Sequence, residues 1–333
     1  MRVLVVTDAW HPQVNGVVRS LEQLEAEARR IGEEIIFITP EQFRTVPMPG
    51  YAEIRLSLAR PKILNDLIDA AKPDAVHLAT EGPLGLLARR ACRKRNLSFT
   101  TCYHTRYPQY VRARLPVPER LTYALLRQFH NSGDGTMVAT DALAHELRDE
   151  GFTNLMLWSR GVDTDLFRPR DQAVLDLPRP IYLCVARLAV EKNLEAFLSL
   201  DLEGSKVIVG DGPDRARLQS LYPDAHFLGA QFGEDLARLY ASADAFVFPS
   251  RTETFGLVLL EALASGLPVA AFPGTGLIRD CADASCASLD EDLGSAAKRA
   301  LDLSRETARA FASRFSFEQS TRQFFANVQR AMG

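Results

Sequence analysis

The stretch DAFVFPSRTETFGLVLLEALASGLPVAA, residues 244–271, contains a short apolar segment, a polar loop, a helical pattern and a second short apolar segment. The apolar segments are bounded by Pro, Gly or Ser, which is typical of buried strands. Two strands that are joined through a helix pair in parallel, because a connection of this kind is a crossover and not a hairpin. The stretch therefore predicts a parallel α/β sheet that is covered on both faces.

The same alternation of apolar strands and helical patterns continues along the rest of the chain. A segment at 160–180 is rich in Pro, Arg and Asp and has no periodicity, which is typical of a linker. The sequence thus predicts two Rossmann-like, doubly wound domains, 1–165 and 166–314, facing an interdomain cleft. The predicted strands are 2–6, 34–38, 74–78, 98–103, 135–139, 155–158, 181–186, 206–210, 225–228, 244–248 and 267–271.

Composition and charge exclude several classes of function. The net charge of −3 argues against a general nucleic-acid binder. The five cysteines are scattered without metal-ligand spacing, which predicts buried, reduced thiols in a reducing compartment. The N-terminal apolar run is too short for a signal peptide, and no apolar stretch is long enough to span a membrane. We therefore expect a cytoplasmic protein.

The loop after the first predicted strand reads TDAWHPQVNGVVRS and contains one glycine, Gly16, before a helical pattern. The absence of G-x-G-x-x-G disfavours a dinucleotide enzyme. A single glycine still allows a phosphate to approach the backbone at the start of a helix. On spacing alone, a plain turn glycine is the preferred interpretation.

Two cations follow the strand at 181–186, in the loop VARLAVEKN. Lys192 opens a helical pattern, where a cation is unfavourable by about 0.3–1 kcal/mol. An anion bound between Arg187 and Lys192 would reverse that effect, and a planar fork beside a point charge suits a diphosphate. A solvated pair, with Glu191 beside Lys192, is an equally good interpretation.

Two glutamates flank the start of the helix predicted near Phe255 or Gly256. Glu253 precedes the helix and would accept hydrogen bonds from hydroxyls, while the free N–H groups of the first turn suit a phosphate. Glu261 lies roughly 8 Å further along the axis and could hold a ribose diol. The alternative is a helix-start charge and a solvated helix residue. Against it, Glu261 lies between GLVLL and ALA, where a buried carboxylate needs a partner.

Other polar residues carry weaker signals. His104 follows the strand at 98–103 and could hydrogen-bond a sugar hydroxyl or a reacting oxygen, although a histidine satisfied by the backbone is the simpler interpretation. Asp163 and Asp165 form a D-x-D, a pattern that can bind a divalent metal. Because this D-x-D lies in the predicted linker, we interpret Asp163 as a turn or capping residue.

Taken together, these segments resemble glycosyltransferase family 4, the retaining nucleotide-sugar transferases with the GT-B fold. The resemblance covers nearly the whole chain and implies that a last helix, residues 315–333, packs back on the N-terminal domain. It also implies transfer of a sugar from a UDP- or GDP-linked donor. The matching segments are NGVVRS, GVDTDLFRP, VARLAVEKN, VGDGP, FLG and PSRTETFGLVLLEALASGLPV, of which the last carries the E-x7-E pattern.

The resemblance implies a role for each residue that would bind the donor. Gly16 would approach the diphosphate from the N-terminal domain. Arg187 and Lys192 would neutralise it, and Glu261 would hold the ribose. No metal and no other cofactor is expected, because cations and helix ends would stabilise the leaving diphosphate.

The remaining candidates would lie near the transferred sugar. The resemblance implies that Glu253 contacts this sugar and that His104 lies near the sugar and the acceptor. The backbone N–H groups of Phe255, Gly256 and Leu257 would face the sugar and the phosphate. On this interpretation His104, Glu253, Arg187 and Lys192 are the catalytic set.

The segment 86–130 is strongly basic, with Glu119 as its sole acidic residue. Such a face with interleaved apolar residues favours an anionic bilayer surface, and the segment also resembles a bacterial subgroup that transfers sugars to lipids such as diacylglycerol. A charged helix exterior is the alternative. The basic residues are Arg89, Arg90, Arg93, Lys94, Arg95, Arg106, Arg112, Arg114, Arg120 and Arg127. The interleaved residues are Tyr107, Tyr110, Val111, Leu115, Leu121, Tyr123, Leu125, Leu126 and Phe129.

Three other functions compete with this one. A dehydrogenase is disfavoured by the missing G-x-G-x-x-G. A nucleotide-sugar epimerase of the same shape would need its own acid and base carboxylates, which we cannot assign. A non-catalytic sugar-nucleotide binder is disfavoured by the intact set of candidate residues. We therefore expect a glycosyltransferase with a lipid or glycan acceptor and no nucleic-acid partner, located in the cytoplasm or peripherally on the inner face of the cell membrane.

Overall fold

A computed structural model describes residues 1–13, 15–48, 51–114, 116–171, 174–251, 253–274 and 276–333. The chain divides into two compact units. Unit 1 comprises Met1–Arg160 and Phe317–Gly333, and unit 2 comprises Gly161–Ser316.

The strands and helices alternate along both units. The strands are β1 Arg2–Val6, β2 Glu34–Ile38, β3 Thr45–Met48, β4 Tyr51–Ser57, β5 Ala75–Leu78, β6 Phe99–Cys102, β7 Gly135–Val138, β8 Leu155–Leu157, β9 Ile181–Val185, β10 Ser205–Val209, β11 His226–Phe227, β12 Ala245–Phe248, β13 Val269–Ala271 and β14 Ala287–Leu289. The helices are α1 Gly16–Arg30, α2 Pro61–Ala71, α3 Pro83–Arg95, α4 Tyr107–Arg114, α5 Glu119–His130, α6 Asp141–Asp149, α7 Leu194–Leu198, α8 Arg215–Leu221, α9 Gly233–Ser242, α10 Leu257–Ala264, α11 Leu277–Asp283, α12 Leu293–Ala300, α13 Arg305–Ala312 and α14 Phe317–Met332.

Each unit is built on one parallel sheet. The strand order is β2-β1-β5-β6-β7-β8 in unit 1 and β11-β10-β9-β12-β13-β14 in unit 2. In both sheets the chain winds outward in one direction from the first strand and then returns to the other side of it. The order therefore reverses between β1 and β5 in unit 1, and between β9 and β12 in unit 2. The prediction of two doubly wound Rossmann-like domains is confirmed.

The predicted strands are confirmed to within two residues at each end. The sequence did not predict β14, nor β3 and β4, which form an antiparallel hairpin outside the main sheet. The reason is their composition: β3 contains Pro47, and β14 reads ASL without a β-branched residue.

Helix α14 packs against unit 1. Its apolar face carries Phe324, Phe325 and Val328, which join the cluster formed by Val3 and Val5 of β1. These three side chains are almost fully buried, and their spacing is that of one helix face. Within the described part of the chain, no helix combines the length and the apolar character that crossing a membrane requires.

Candidate functional site

The strand order of unit 2 places two of the candidate loops side by side. Strands β9 and β12 are paired in parallel, with Ala245 opposite Tyr182 and Phe246 opposite Leu183. The loops that follow them therefore lie next to each other at the carboxyl edge of the sheet. This is where the strand order reverses, which is the position at which open α/β sheets bind ligands.

A direct contact joins these two loops. Lys192 Nζ, after β9, forms an ion pair with Glu253 Oε1, after β12. Ser250 Oγ donates to the same carboxylate oxygen at 3.3 Å, and Asn193 Nδ2 donates to the Pro249 carbonyl at 3.1 Å. Both charged side chains remain 21% exposed, so the pair is accessible to a ligand. The alternative of a Lys192 that is merely solvated is wrong.

Helix α10 begins at this pair. Its first residue is Leu257, one or two positions after the predicted start, and no side-chain cap is formed at its N-terminus by the described residues. Gly256 has a φ of +84°, and a Cβ there would lie 3.0 Å from Leu259 Cδ1. Phe255 is buried, with its ring 6.3 Å from that of Phe315. The chain thus turns sharply into α10 and presents its N-terminal N–H groups at the same edge, an arrangement suited to an anion.

Glu261 lies on the second turn of α10 and is 6% exposed. The hydroxyl of Tyr240, on α9, donates to Glu261 Oε2 at 2.9 Å. The expectation that this carboxylate is buried and partnered is therefore confirmed, and the alternative of a solvated helix residue is wrong. A carboxylate held in this way keeps a fixed orientation, which suits recognition of a diol.

Two glycines hold the loop that carries Arg187. The N–H of Ala186 donates to the Val209 carbonyl at 3.0 Å, and the N–H of Leu188 donates to the Asp211 carbonyl at 2.9 Å. A Cβ on Gly210 would lie 1.9 Å from the Ala186 carbonyl oxygen, and one on Gly212 would lie 2.3 Å from that of Leu188. The VGDGP segment, residues 209–213, therefore fixes the backbone on either side of half-buried Arg187.

In unit 1, Asp8 organises the corresponding edge of the sheet. It follows β1, and its carboxylate accepts the N–H groups of Leu84 and Gly85, at 2.9 and 3.2 Å, and the hydroxyl of Thr80 at 3.0 Å. It thereby caps α3. Burial raises the pKa of Asp8 despite these three donors. A Cβ on Gly82 would lie 2.4 Å from the Asp8 carboxyl carbon, so glycine is required there.

His104 lies after β6 in a cationic, aromatic environment. Arg160 is 5% exposed, and its Nη2 lies 3.3 Å from His104 Nδ1 and 3.5 Å from Cys102 Sγ. Arg160 Nη1 donates to the Trp158 carbonyl at 2.9 Å, and the guanidinium carbon lies 3.9 Å from the centroid of the Trp158 ring. Sequence reasoning did not single out Arg160, which is the first residue of the predicted linker, 160–180.

This geometry fixes the protonation of His104. Burial lowers the pKa of His104 well below its ordinary value, and the charge of Arg160 lowers it further. Because arginine can only donate, Nδ1 of the neutral ring accepts and Nε2 carries the proton. His104 therefore carries its proton on Nε2, a form that can donate to a hydroxyl or to a developing negative charge.

Gly16 is the exposed first residue of α1. The side chain of Asn15 caps this helix by accepting the N–H groups of Val17 and Val18, at 3.0 and 3.1 Å. The N-terminus of α1 is thus already occupied by the chain itself at two of its donors, in contrast to that of α10.

The D-x-D is a turn. Asp163 Oδ1 accepts the N–H groups of Asp165 and Leu166, at 3.0 and 2.9 Å, which confirms its interpretation as a turn residue. Among the residues that the structure describes, no group of three or more His, Cys, Asp or Glu side chains is arranged to hold a metal ion. The five cysteines are buried free thiols, as predicted.

The basic segment 86–130 does not form one uniform face. The expectation that Tyr123, Leu126 and Phe129 lie on it is wrong, because each is at most 7% exposed and packs in the core of unit 1. Arg106 forms a bidentate pair with Glu146, and Arg127 donates to the Glu150 carbonyl. Leu115 and the side chain of Arg114 lie outside the described residues. The exposed remainder on α3, α4 and α5, which we name the α3–α5 patch, consists of Leu86, Arg90, Arg93, Lys94, Tyr107, Arg112, Arg120, Leu121 and Leu125.

Known proteins and family models match most of the chain. The family model Glycosyltransferase Family 4 matches residues 14–166, and Glycosyl transferases group 1 matches residues 179–304. The chain is 35% identical over 307 residues to a GDP-mannose-dependent alpha-mannosyltransferase of Mycobacterium tuberculosis (strain CDC 1551 / Oshkosh), covering 84% of this chain and 81% of that one. It is 27% identical to the alpha-monoglucosyldiacylglycerol synthase of Streptococcus pneumoniae (strain ATCC BAA-255 / R6), covering 81% and 71%.

Among solved structures, the sucrose-phosphate synthase of Thermosynechococcus elongatus superposes with a TM-score of 0.77 at 20% identity, covering 99% of this chain and 96% of that one. At this identity the likeness concerns the fold alone. Together with the family matches and the α-mannosyltransferase relative, it shows that this chain is a glycosyltransferase of family 4 with the GT-B fold.

Proposed function

We propose that this chain moves a sugar, with retention of its anomeric configuration and without a metal ion, from a nucleoside diphosphate sugar to the hydroxyl of a membrane lipid. The first donor to test is GDP-mannose, which the α-mannosyltransferase relative uses by name. A UDP-linked hexose is the second. The acceptor class follows the diacylglycerol in the name of the Streptococcus pneumoniae relative.

The observation that carries the proposal is the Lys192–Glu253 ion pair at the open N-terminus of α10. In the unliganded protein the two charges neutralise each other. A diphosphate would compete for the ammonium and be held also by the α10 N–H groups and Arg187. Glu253 would then be free to accept from the hydroxyls of the transferred sugar, while Glu261 holds the ribose.

The chemistry follows from these positions. The acceptor oxygen bonds to the anomeric carbon on the face from which the diphosphate leaves, and the proton of the acceptor hydroxyl passes to a leaving phosphate oxygen. Positive charge and helix N–H groups stabilise the negative charge that develops there. In unit 1, the Nε2–H of His104 would donate to a sugar or acceptor oxygen, and Gly16 would allow close approach of the diphosphate.

A lipid acceptor requires contact with a membrane, and the α3–α5 patch is suited to it. Leu121 and Leu125 are 53% and 70% exposed one helical turn apart on α5. Arg90 and Arg120 are exposed on the neighbouring helices α3 and α5. We propose that this patch binds an anionic bilayer from the cytoplasmic side. Vesicles containing phosphatidylglycerol should then sediment the protein, and salt should release it. Equal binding to phosphatidylcholine vesicles at any salt concentration would contradict this part.

The donor site can be tested by thermal stabilisation with GDP and UDP, since a ligand that binds the folded state raises its melting temperature. Lys192→Ala should weaken nucleotide binding about 10–100-fold through loss of a charge-assisted contact. Lys298→Ala removes the same charge from an exposed position on α12 of unit 2 and is the matched control. Nucleotide binding that is equal in both variants would refute the proposed donor site.

Two further variants separate the roles of the units. Glu261→Ala should weaken nucleotide binding, because a ribose contact is lost. His104→Ala should depress sugar transfer far more than nucleotide binding. If His104→Ala reduced both to the same extent, His104 would have a structural role only.

A further inference from the structure

Glu81 lies at the point where the strand order of unit 1 reverses. It follows β5, which pairs with β1, and Asp8 follows β1 on the other side of the reversal. Its carboxylate is only 9% exposed, and Oε1 lies 3.0 Å from Nε2 of His130, a fully buried residue at the end of α5. Neither Glu81 nor His130 has a role in the proposed donor chemistry. The position is the one at which a doubly wound sheet binds ligands.

The hydrogen bonds around His130 determine how many protons the pair holds. Thr136 Oγ1 donates to the His130 carbonyl at 3.4 Å, so Thr101 Oγ1, at 3.2 Å, must donate to Thr136. Thr101 then has no second proton, and His130 Nδ1, at 2.8 Å, must donate to it. One proton therefore lies between Nε2 and Glu81 Oε1. Whether it is nearer to nitrogen or to oxygen, the pair as a whole is electrically neutral.

The two oxygens of Glu81 differ in their contacts. Oε1 is held by His130, whereas no hydrogen bond to Oε2 is formed by the residues that the structure describes. Tyr107 is 37% exposed as a residue. Burial, followed by the charges of Glu81 and Asp8, raises the pKa of its hydroxyl, so this hydroxyl lies within electrostatic reach of both carboxylates. A neutral Glu–His pair does not favour a cationic ligand. It offers an acceptor atom to an uncharged donor, which is what an alcohol provides.

We propose that Glu81 Oε2 binds the hydroxyl of the acceptor alcohol, with His130 as the residue that positions the carboxylate. The hydrogen bond holds a lone pair of the acceptor oxygen toward the sugar. As this oxygen bonds to the anomeric carbon, its O–H turns from Glu81 to the leaving phosphate oxygen, which takes the proton. The proposal rests on the proposed sugar transfer and adds a residue to its acceptor side.

Kinetics and nucleotide binding test it separately. The probes are GDP-mannose and UDP-glucose, each with dioleoylglycerol in detergent micelles, and each also without acceptor, so that water takes the place of the alcohol. Glu81→Ala should lower kcat/KM for dioleoylglycerol and the rate of donor hydrolysis about 3–10-fold, since one hydrogen bond to the acceptor oxygen is lost. The Kd for GDP or UDP should stay within about twofold, because Glu81 makes none of the proposed nucleotide contacts, which are those of unit 2 and of Gly16.

Two variants keep the test independent of folding. Glu81→Gln preserves the size of the side chain and one accepting oxygen, and should recover part of the activity lost in Glu81→Ala. Asp134→Asn removes a charge at the opposite edge of the same sheet, before β7, and should leave all rates unchanged. Glu81→Ala with unchanged hydrolysis and transfer, or with a loss matched by weaker nucleotide binding, would overturn the proposal. Wild-type protein that binds no nucleotide would instead overturn the proposed function.

Discussion

The two units share one topology, but different kinds of groups lie at the carboxyl edges of their sheets. Unit 2 uses glycines, the open end of α10 and an accessible ion pair, Lys192–Glu253. Unit 1 uses buried polar groups that contact residues far away in the chain: Asp8, His104, His130 and Arg160. One edge is shaped by backbone that a ligand can approach, and the other by side chains whose protonation states are fixed. The difference predicts that the units respond to different perturbations.

The largest effect is expected in unit 2 from Gly210→Ala. A Cβ there would lie 1.9 Å from the Ala186 carbonyl oxygen, and φ is +139°, so the loop that carries Arg187 must move. We expect a loss of about 3–5 kcal/mol in the stability of unit 2 and loss of nucleotide binding. Far-UV circular dichroism during denaturation should show the early transition.

Tryptophan fluorescence provides the internal reference, because Trp10 and Trp158, the two tryptophans of the chain, both lie in unit 1. Gly233→Ala is the matched control. Gly233 also has a positive φ, +51°, but a Cβ there meets nothing within 4 Å. Its replacement should cost about 1 kcal/mol. Equal losses in the two variants would show that the contact at Gly210 does not hold the loop.

The next effect concerns unit 1 and the protonation of His104. Arg160→Met removes the donor to Nδ1 and leaves the Trp158 carbonyl without its partner. We expect sugar transfer to fall about 10–100-fold while nucleotide binding is retained, since a hydrogen bond to a charged group is lost. Nitrogen-15 NMR of the imidazole should show His104 as the Nε2–H tautomer in the wild type and a mixture in the variant.

Arg160→Lys tests whether the charge or mere packing matters. Lysine retains the cation and a donor, and should restore part of the activity and of the tautomer preference. A single unchanged tautomer in Arg160→Met, with full activity, would show that Arg160 serves only to fill space against Trp158.

Unit 1 should also be destabilised by acid through its buried histidines. Burial lowers the pKa of His77 to about 3, and that of His104 is lowered as well. Between pH 6.5 and 3 the unfolded chain binds a proton at His77 that the folded chain does not, so stability falls as the pH falls through this window. The slope is about 1.4 kcal/mol per pH unit for one histidine, or about 2 kcal/mol between pH 6.5 and 5.

Urea denaturation followed by tryptophan fluorescence at several pH values measures this slope. His77→Phe keeps an aromatic ring beside Phe324, whose centroid lies 5.0 Å away, and removes the titrating group. The variant should be less stable at neutral pH, through loss of the hydrogen bond to Thr100, but its slope should be smaller by the contribution of one histidine. An unchanged slope would mean that His77 does not titrate on unfolding.

The same contrast explains what could be predicted from the sequence. In unit 2 the informative residues are close together in the chain. Glu253 and Glu261 flank the start of one helix, and the apolar residues around Glu261 indicate that it is buried. Even there, Tyr240, the partner of Glu261, could not be named, because it lies on another helix. The strands were predicted from apolar periodicity, and β14 was missed because ASL carries too little of it.

In unit 1 the decisive contacts join residues far apart in sequence. Arg160 meets His104 across 56 positions, Asp8 meets Leu84 across 76, and Glu81 meets His130 across 49. No local pattern encodes such pairs. One signal was present nonetheless: Asp8 and Glu81 follow predicted strands by two or three residues, where polar side chains reach the ligand-binding edge of a parallel sheet.

The smallest effect concerns the helix starts, where the two units differ in the clearest way. Asn15 closes the N-terminus of α1 by accepting the N–H groups of Val17 and Val18, whereas α10 has no such side-chain cap among the described residues. Asn15→Ala should therefore cost unit 1 about 1 kcal/mol, measured by urea denaturation with tryptophan fluorescence. Nucleotide binding should be unchanged, because the phosphate is held at α10. Tighter nucleotide binding in Asn15→Ala would show instead that uncapped N–H groups of α1 also bind the diphosphate. The assignment of phosphate binding to α10 alone would then be wrong.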